Sequence, residues 1–330
     1  MFRQLIKSAL FLIAATAVSA GASAQNTPKL PDHWPDRPLR ILVGFPGGSS
    51  PDLVARALQA PLSKALGQPV IVENRPGAGG NIAANLVAKA TDDYTIGVMI
   101  NGNLTIAKLL NPATPYDPAT DLAPISLIGT APLVLTAPVS APGHDAREFL
   151  AAARQAGDKW SYGSPGVGTV GQIGMELLKG KTGIDPVHIP YQGNPQVISA
   201  MIGGQVNLAL LPPGLATTQI RAGKLKAIGV TSATRSPLVP EIPSLADAGV
   251  KDYQLEIWTA AAAPARMPKA IVARLSTLIS EIVRSPEMRQ KLFVQGWDAV
   301  GSSPEGLENR IKSDTALLGA VIKSRHIRVD

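Results

Sequence analysis

Short apolar runs and helix-patterned segments alternate along most of this chain, separated by turns rich in Gly and Pro. The runs that read as strands are 39–45, 70–73, 95–100, 125–129, 133–136, 160–162, 187–191, 206–211, 225–231 and 254–260. Helical spacing falls between them at 51–66, 82–90, 105–110, 146–156, 170–182, 195–202 and 217–222. Such alternation predicts an α/β fold of mostly parallel sheets covered by helices on both faces. Gly67, Gly157, Gly180, Gly183 and Gly223 fall where a helix wants a left-handed residue just past its end. From Lys269 to Arg325 the pattern is helical only, over 270–283, 287–295 and 305–323. Helices without a sheet of their own are expected to pack back on the first domain. The chain would then leave domain one near Gly129, build a second domain and return near Trp258. That layout predicts lobe 1 from residues 25–129 and 258–330, lobe 2 from 130–257, and a ligand cleft at the hinge between them.

The turn after the first strand, Phe45-Pro46-Gly47-Gly48-Ser49-Ser50-Pro51-Asp52, carries the clearest chemical signal. Gly47 and Gly48 let the backbone turn sharply and leave its amides uncovered, Ser49, Ser50 and Asp52 are residues that cap helices, and Pro51 suits a first helical position. A glycine turn feeding a helix N-terminus receives anions, because free N–H groups and the positive helix end point the same way. Asn74-Arg75-Pro76-Gly77-Ala78-Gly79-Gly80-Asn81 repeats the device after the next strand, so the two turns are expected to grip one carboxylate from two sides. Three more strand-end loops, Asn101–Asn103, Ser164–Thr169 and Gln192–Asn194, present neutral donors toward the same sheet edge, where α/β folds bind ligands.

The N-terminus reads as an export signal. Arg3 and Lys7 precede an apolar run from Ala9 to Val18, and Ala22-Ser23-Ala24 supplies a cleavage site after Ala24. The run is too short to span a bilayer, and with no cysteine there is neither a disulfide nor a lipid-anchoring site, so a free periplasmic protein is expected. Removing residues 1–24 takes two bases and no acid from the net charge of +7, leaving +5. The surplus is spread without a basic run, which excludes a nucleic-acid surface.

Signals for catalysis are thin. Gly166-Val167-Gly168-Thr169-Val170-Gly171 matches a dinucleotide fingerprint, yet the strand that follows ends at Gln192 with no acid to hold a ribose. The four histidines, His33, His144, His188 and His326, show no metal-ligand spacing, and His188 reads as a hydrogen-bonded core residue near Asp185. Ser164 lacks the G-x-S-x-G setting, and no nucleophile–base pair stands out. The expectation is a non-enzyme with no cofactor and no metal.

Taken together, the Phe45–Asp52 and Glu73–Asn81 blocks, Pro115-Tyr116-Asp117-Pro118, Asp121-Leu122-Ala123-Pro124, Tyr162–Gly168, Val187–Gly193 and Ala222-Gly223-Lys224-Leu225 resemble the Bug family. These are the extracytoplasmic solute receptors of tripartite tricarboxylate transporters, and the likeness runs from about Trp34 to the last helix. The resemblance implies a two-lobed, type II-like periplasmic binding protein, monomeric, that closes over a small organic acid and delivers it to membrane permease subunits. A receptor of the same fold serving a sensor kinase is the alternative. Carried over, one carboxylate falls to Phe45, Gly47, Gly48, Ser49, Ser50, Gly79, Gly80 and Asn81, and the second lobe adds Ser164, Gly166, Gly168, Thr169, Gln192 and Gly193. Relatives commonly carry an acid where this chain has Leu211, and bulky residues where it has Thr259-Ala260-Ala261-Ala262-Ala263. Those departures predict a ligand without an amine, a dicarboxylate or an aromatic acid, in an enlarged cleft.

Overall fold

A computed structural model describes residues 30–324 and residue 327. The expected leader, its cleavage point and His326 lie outside the described residues. In chain order the first half holds β1 (Leu39–Val43), α1 (Ser50–Leu66), β2 (Val70–Asn74), α2 (Asn81–Ala88), β3 (Thr95–Ile100), α3 (Asn101–Thr105), α4 (Ala107–Leu110), β4 (Leu122–Pro132), β5 (Val134–Pro138) and α5 (Ala146–Ala156). There follow β6 (Ser161–Ser164), α6 (Val170–Thr182), β7 (Val187–Pro190), α7 (Asn194–Ile202), β8 (Leu208–Leu211), α8 (Pro213–Arg221) and β9 (Leu225–Val230). The chain ends with β10 (Glu256–Pro264), α9 (Lys269–Arg284), α10 (Pro286–Val294), β11 (Asp298–Ala299) and α11 (Pro304–Ser324).

The strands form a six-stranded sheet, β11-β4-β10-β3-β1-β2, and a five-stranded sheet, β7-β6-β8-β5-β9. Both are mixed rather than mostly parallel. β1 runs parallel to β2 and β3, and β6 to β7 and β8. β10 is antiparallel to β3 and β4, while β5 is antiparallel to β8 and β9. The reason is the route of the chain. β4 and β5 carry it out of the first sheet into the second, β10 carries it back, and a strand that changes sheet enters against the direction of its neighbours.

Helices cover both faces of the first sheet, and the side chains of β1 sort by the two-residue period of a strand. Ile41 and Val43 join a cluster with Val54 and Leu58 of α1 and Ile271, Leu275 and Ile279 of α9; Leu42 faces the other cluster, with Val87, Met99 and Trp258. β10 behaves the same way: Ala261 and Ala263 enter the first cluster, Ala260 and Ala262 the second, all fully buried. The alanine run is therefore sheet core and does not widen the cleft. Leu211 is likewise wholly buried in a second-sheet cluster with Val197 and Val230. Gly67 and Gly183 cap α1 and α6 at φ 69° and 71°, whereas Gly180 lies inside α6.

Sheet membership changes at Leu133 and again just before Glu256; the expected exit at Gly129 and return at Trp258 lie within β4 and β10. Thr231 stitches the two crossings together. Its Oγ1 accepts from Leu133 N (2.8 Å) and donates to the Leu255 carbonyl (2.6 Å), and its own amide donates to the Leu133 carbonyl (2.9 Å). α11 makes a third tie: Leu307 packs into a core of the first sheet, Leu318 and Ile322 into a core of the second.

Candidate functional site

Five helices begin directly after strands and face one cavity between the sheets. They are α1 and α3, following β1 and β3 of the first sheet, and α6, α7 and α8, following β6, β7 and β8 of the second. Ser49, Ser50, Asn101, Thr169, Val170, Asn194 and Pro212 bring those helix starts to the cavity wall. Phe45, Ile100, Leu133, Pro165, Ile257 and Trp297 supply an apolar lining, and among the described residues no charged one belongs to it. The volume is about 40 Å³, room for on the order of three waters. Larger recesses exist, one of about 610 Å³ bounded by Lys64, Glu281 and Lys291 among others. Another, of about 240 Å³, lies at the crossings and is bounded by Asn101, Thr231, Leu255, Glu256, Arg310 and Asp314; the small cavity is where oriented peptide dipoles converge.

The lobes meet around it through glycines. A Cβ on Gly79 would strike the Val167 carbonyl oxygen, one on Gly102 would stand 2.5 Å from the Gly168 carbonyl oxygen, and one on Gly193 would stand 2.9 Å from Pro46 Cδ. On the other side, a Cβ on Gly214 would overlap the Gln295 carbonyl oxygen. No side chain larger than hydrogen fits at these contacts, which are backbone to backbone except where Gly193 meets the Pro46 ring.

Within the first turn, Ser49 occupies the N-cap position of α1 but its side chain makes no capping bond. Its Oγ is buried, and among the described residues it meets no hydrogen-bond partner. Gly48 is different. Its amide donates to Asp52 Oδ2 (2.9 Å), and the same carboxylate accepts from Arg56 Nε and from Asn74 Nδ2 (2.9 Å). Burial pushes the Asp52 carboxyl up, but Arg56, the Gly48 amide and Asn74 outweigh it and hold the group below its ordinary value. Asn74 Nδ2 also donates to the Phe45 carbonyl (2.8 Å), so the two turns are fastened to each other.

The expected site residues therefore divide. Phe45, Ser49, Ser50 and Thr169 line the cavity. Gly47 and Gly48 are exposed outside it, as is Gln192. Gly79 and Gly166 form the interlobe seam, and Gly80 lies against the Phe45 ring and Asn103. The Asn81 side chain is occupied: its Oδ1 accepts from Asn103 Nδ2 (2.8 Å) and lies 2.9 Å from the Tyr116 hydroxyl. Gly168 donates its amide to Gln172 Oε1 (2.8 Å), and Gly193 packs on Pro46. Asn101 and Asn194, each the first residue of its helix, were grouped with the donor loops by sequence but not singled out. An Asn opening a helix, at Asn101 directly after β3 and at Asn194 after a three-residue loop past β7, was the available signal. The apolar lining had none, because Leu133, Ile257 and Trp297 arrive from distant parts of the chain.

Ser164 does pair with a histidine, contrary to expectation: His188 Nε2 lies 2.7 Å from its Oγ. The network fixes the direction of that bond. Gln172 Oε1 is taken by Gly168, so its Nε2 faces His188 Nδ1 (3.4 Å) as the donor and leaves the ring proton on Nε2. Ser164 thus accepts from His188 and from the Gly166 amide (3.2 Å) and donates to the Gly166 carbonyl (3.1 Å). A serine that receives a proton from its histidine is not an activated nucleophile; the pair braces the loop. Asp185 pairs with Lys179 (2.9 Å) and not with His188.

A strand-end cavity walled by helix starts suits an anionic solute. Residues 54–327 match the model of the tripartite tricarboxylate transporter family receptor. The chain belongs to this family. Among its relatives, a UPF0065 protein from the tcbD–tcbE intergenic region of Pseudomonas sp. (strain P51) is 33% identical over 306 residues, 92% of this receptor and 90% of that protein. Rpa4515 of R. palustris, solved with adipate, superposes with a TM-score of 0.86 at 31% identity, covering 89% of the receptor and 99% of that chain. The periplasmic binding protein BugD gives 0.85 at 30% identity over 89% and 99%. The family consists of periplasmic solute receptors, not enzymes. Among the described residues no helix is long and apolar enough to cross a membrane, and no group of three or more metal-ligating side chains occurs.

Proposed function

We propose that this receptor captures a small organic carboxylate in the cavity between its two sheets and hands it to the membrane subunits of a tripartite permease. The observation that carries the reading is the meeting of five helix starts on a cavity whose wall holds the unpartnered Ser49 hydroxyl and, among the described residues, no charged one. Each helix end favours an anion by roughly 0.3–1 kcal/mol, up to about 2 where partly buried. Several together reach micromolar affinity once the closed lobes exclude water. An ammonium group would meet those positive ends with no carboxylate beside it, so an acid without an amine fits best. Adipate in Rpa4515 supports the class of solute.

In this reading Ser49, Ser50, Phe45 and Thr169 touch the solute, and Gly79, Gly166 and Gly193 act by letting the lobes close. The leader is removed after Ala24, and the mature chain acts in the periplasm as a monomer of two lobes, 25–129 with 258–330 and 130–257. Calorimetric titration of the mature protein with a panel of organic acids tests it. One or more acids should bind in the micromolar range, amino acids weakly, and Ser49→Ala should bind the same acid at least tenfold more weakly. Binding of amino acids or cations alone would overturn the reading.

A further inference from the structure

The recess of about 240 Å³ at the crossings is assembled from separate parts of the chain. Thr231 and Ser232 follow β9 into it, Leu255 and Glu256 arrive with the return crossing, and Arg310 and Asp314 stand on α11. Its charged groups are two carboxylates against one guanidinium. Arg310 Nη2 donates to Glu256 Oε2 (3.1 Å) and its Nε to Asp314 Oδ1 (3.0 Å), while Trp258 Nε1 donates to Asp314 Oδ2 (2.6 Å). An ionised carboxylate offers about four lone-pair sites, so both acids keep capacity for a further donor.

Asn101 borders this recess as well as the cavity between the sheets. It is 1% exposed, and its Oδ1 is buried without a hydrogen-bond partner among the described residues. Nδ2 of the same amide donates to the Glu256 carbonyl (3.2 Å). Turning the amide over would set two acceptors against each other, so the oxygen is the open atom. That bond draws the amide toward the start of β10. Glu256 lines the recess and not the cavity, so the unmet acceptor is aimed at the recess.

A buried acceptor beside a surplus of carboxylate calls for donor hydrogens that bring positive charge. An anion would be repelled, and a neutral hydroxyl would leave the surplus charge unmet. The space equals on the order of eight waters, most of which a bare inorganic ion would leave unfilled. Among the described residues no group of three or more metal-ligating side chains occurs there. Leu255, Leu317 and Leu318 give the recess an apolar side. We propose that it is a second binding site, for a small organic ammonium ion. The ammonium donates to Asn101 Oδ1 and to the Glu256 and Asp314 carboxylates, and a short apolar body lies against the leucines. Such an occupant touches Thr231, the return crossing and α11 at once, so it splints the lobes in contact and tightens capture in the cavity. The site stands apart from the reading of that cavity as a carboxylate site; only the effect on capture rests on it.

Calorimetric titration of the mature protein with n-butylammonium and putrescine tests the site, with n-butanol and sodium chloride as controls. At least one amine should bind with submillimolar affinity, tenfold or more tightly than butanol. Glu256→Gln removes a carboxylate, and Leu317→Lys brings the chain's own ammonium to a position that is 58% exposed. Each should weaken amine binding tenfold or more with the melting temperature little changed. Saturating amine should tighten binding of an organic acid threefold or more, and the acid should tighten the amine by the same factor. If neither amine binds more tightly than butanol, if sodium at equal concentration displaces them, or if both variants keep full amine affinity, the site falls. If amines bind but leave acid affinity unchanged, the splinting falls and the site stands. If no acid binds, the carboxylate reading falls together with the splinting, and the amine titration still decides the site.

Discussion

A serine at a helix N-cap ordinarily earns its place by capping, and its replacement by alanine costs about 1 kcal/mol. Ser49 makes no such bond, so Ser49→Ala should leave the melting temperature unchanged or slightly raised while solute affinity drops. The separation of those two readouts is what a purely structural serine would not give. His188 offers a second case. Burial pushes its pKa down to about 4 from an ordinary 6.5, against the raising influence of Glu176. The unfolded chain therefore takes up the proton first: stability is full above about pH 6.5, declines as pH falls toward 4, and is lost no further to this group below that. Urea denaturation across this range should show the slope in the parent protein and a shallower one in His188→Gln. At this scale the sequence was legible for residue type and blind to partners. The Ser49 and Thr169 positions could be read from a helix start, but nothing local foretold that Asp52 would take the Gly48 amide or that His188 would brace Ser164.

Helices were the most readable elements, because caps and periodicity act within a few residues. α5 runs from Ala146 to Ala156 and α6 from Val170 to Thr182, as their spacing predicts. α8 begins at Pro213 rather than Thr217, since a proline pair disguises a first helical turn in which the missing amide costs nothing. β11, two residues long, exists only because β4 offers it an edge, and no pattern so short is visible in a chain. Strand direction was equally hidden, as it depends on where β4 and β10 travel. The glycine seams are legible only as composition, yet they make a sharp prediction. Gly102 and Gly214 have ordinary backbone angles, so an added methyl is tolerable in each helix but collides with the opposite lobe. Gly214→Ala and Gly102→Ala should bind solute more weakly and show a larger radius of gyration by small-angle scattering, with secondary structure intact. Unchanged dimensions together with unchanged affinity would mean that the seam yields locally.

Across the molecule, the two crossings and α11 decide how the sheets are joined. Thr231→Val removes the acceptor of the Leu133 amide and the donor to the Leu255 carbonyl, both at the hinge. Leaving such buried groups unmet costs about 1–3 kcal/mol, readable as a lower urea midpoint with the slope of the transition unchanged. Two lobes were foreseen from the single change of pattern in the tail. The reach of α11 into both cores was not, because Leu307, Leu318 and Ile322 look alike in sequence whichever partner they find. The shared ownership of the cavity has a mechanical outcome. α1 and α3 belong to one sheet, α6, α7 and α8 to the other, so neither lobe by itself owns the whole electric field that attracts the cargo. Prising the sheets apart by a few ångströms splits that field. In the proposed receptor, unloading then requires neither a competing ion nor a proton, only a force that pulls the jaws open.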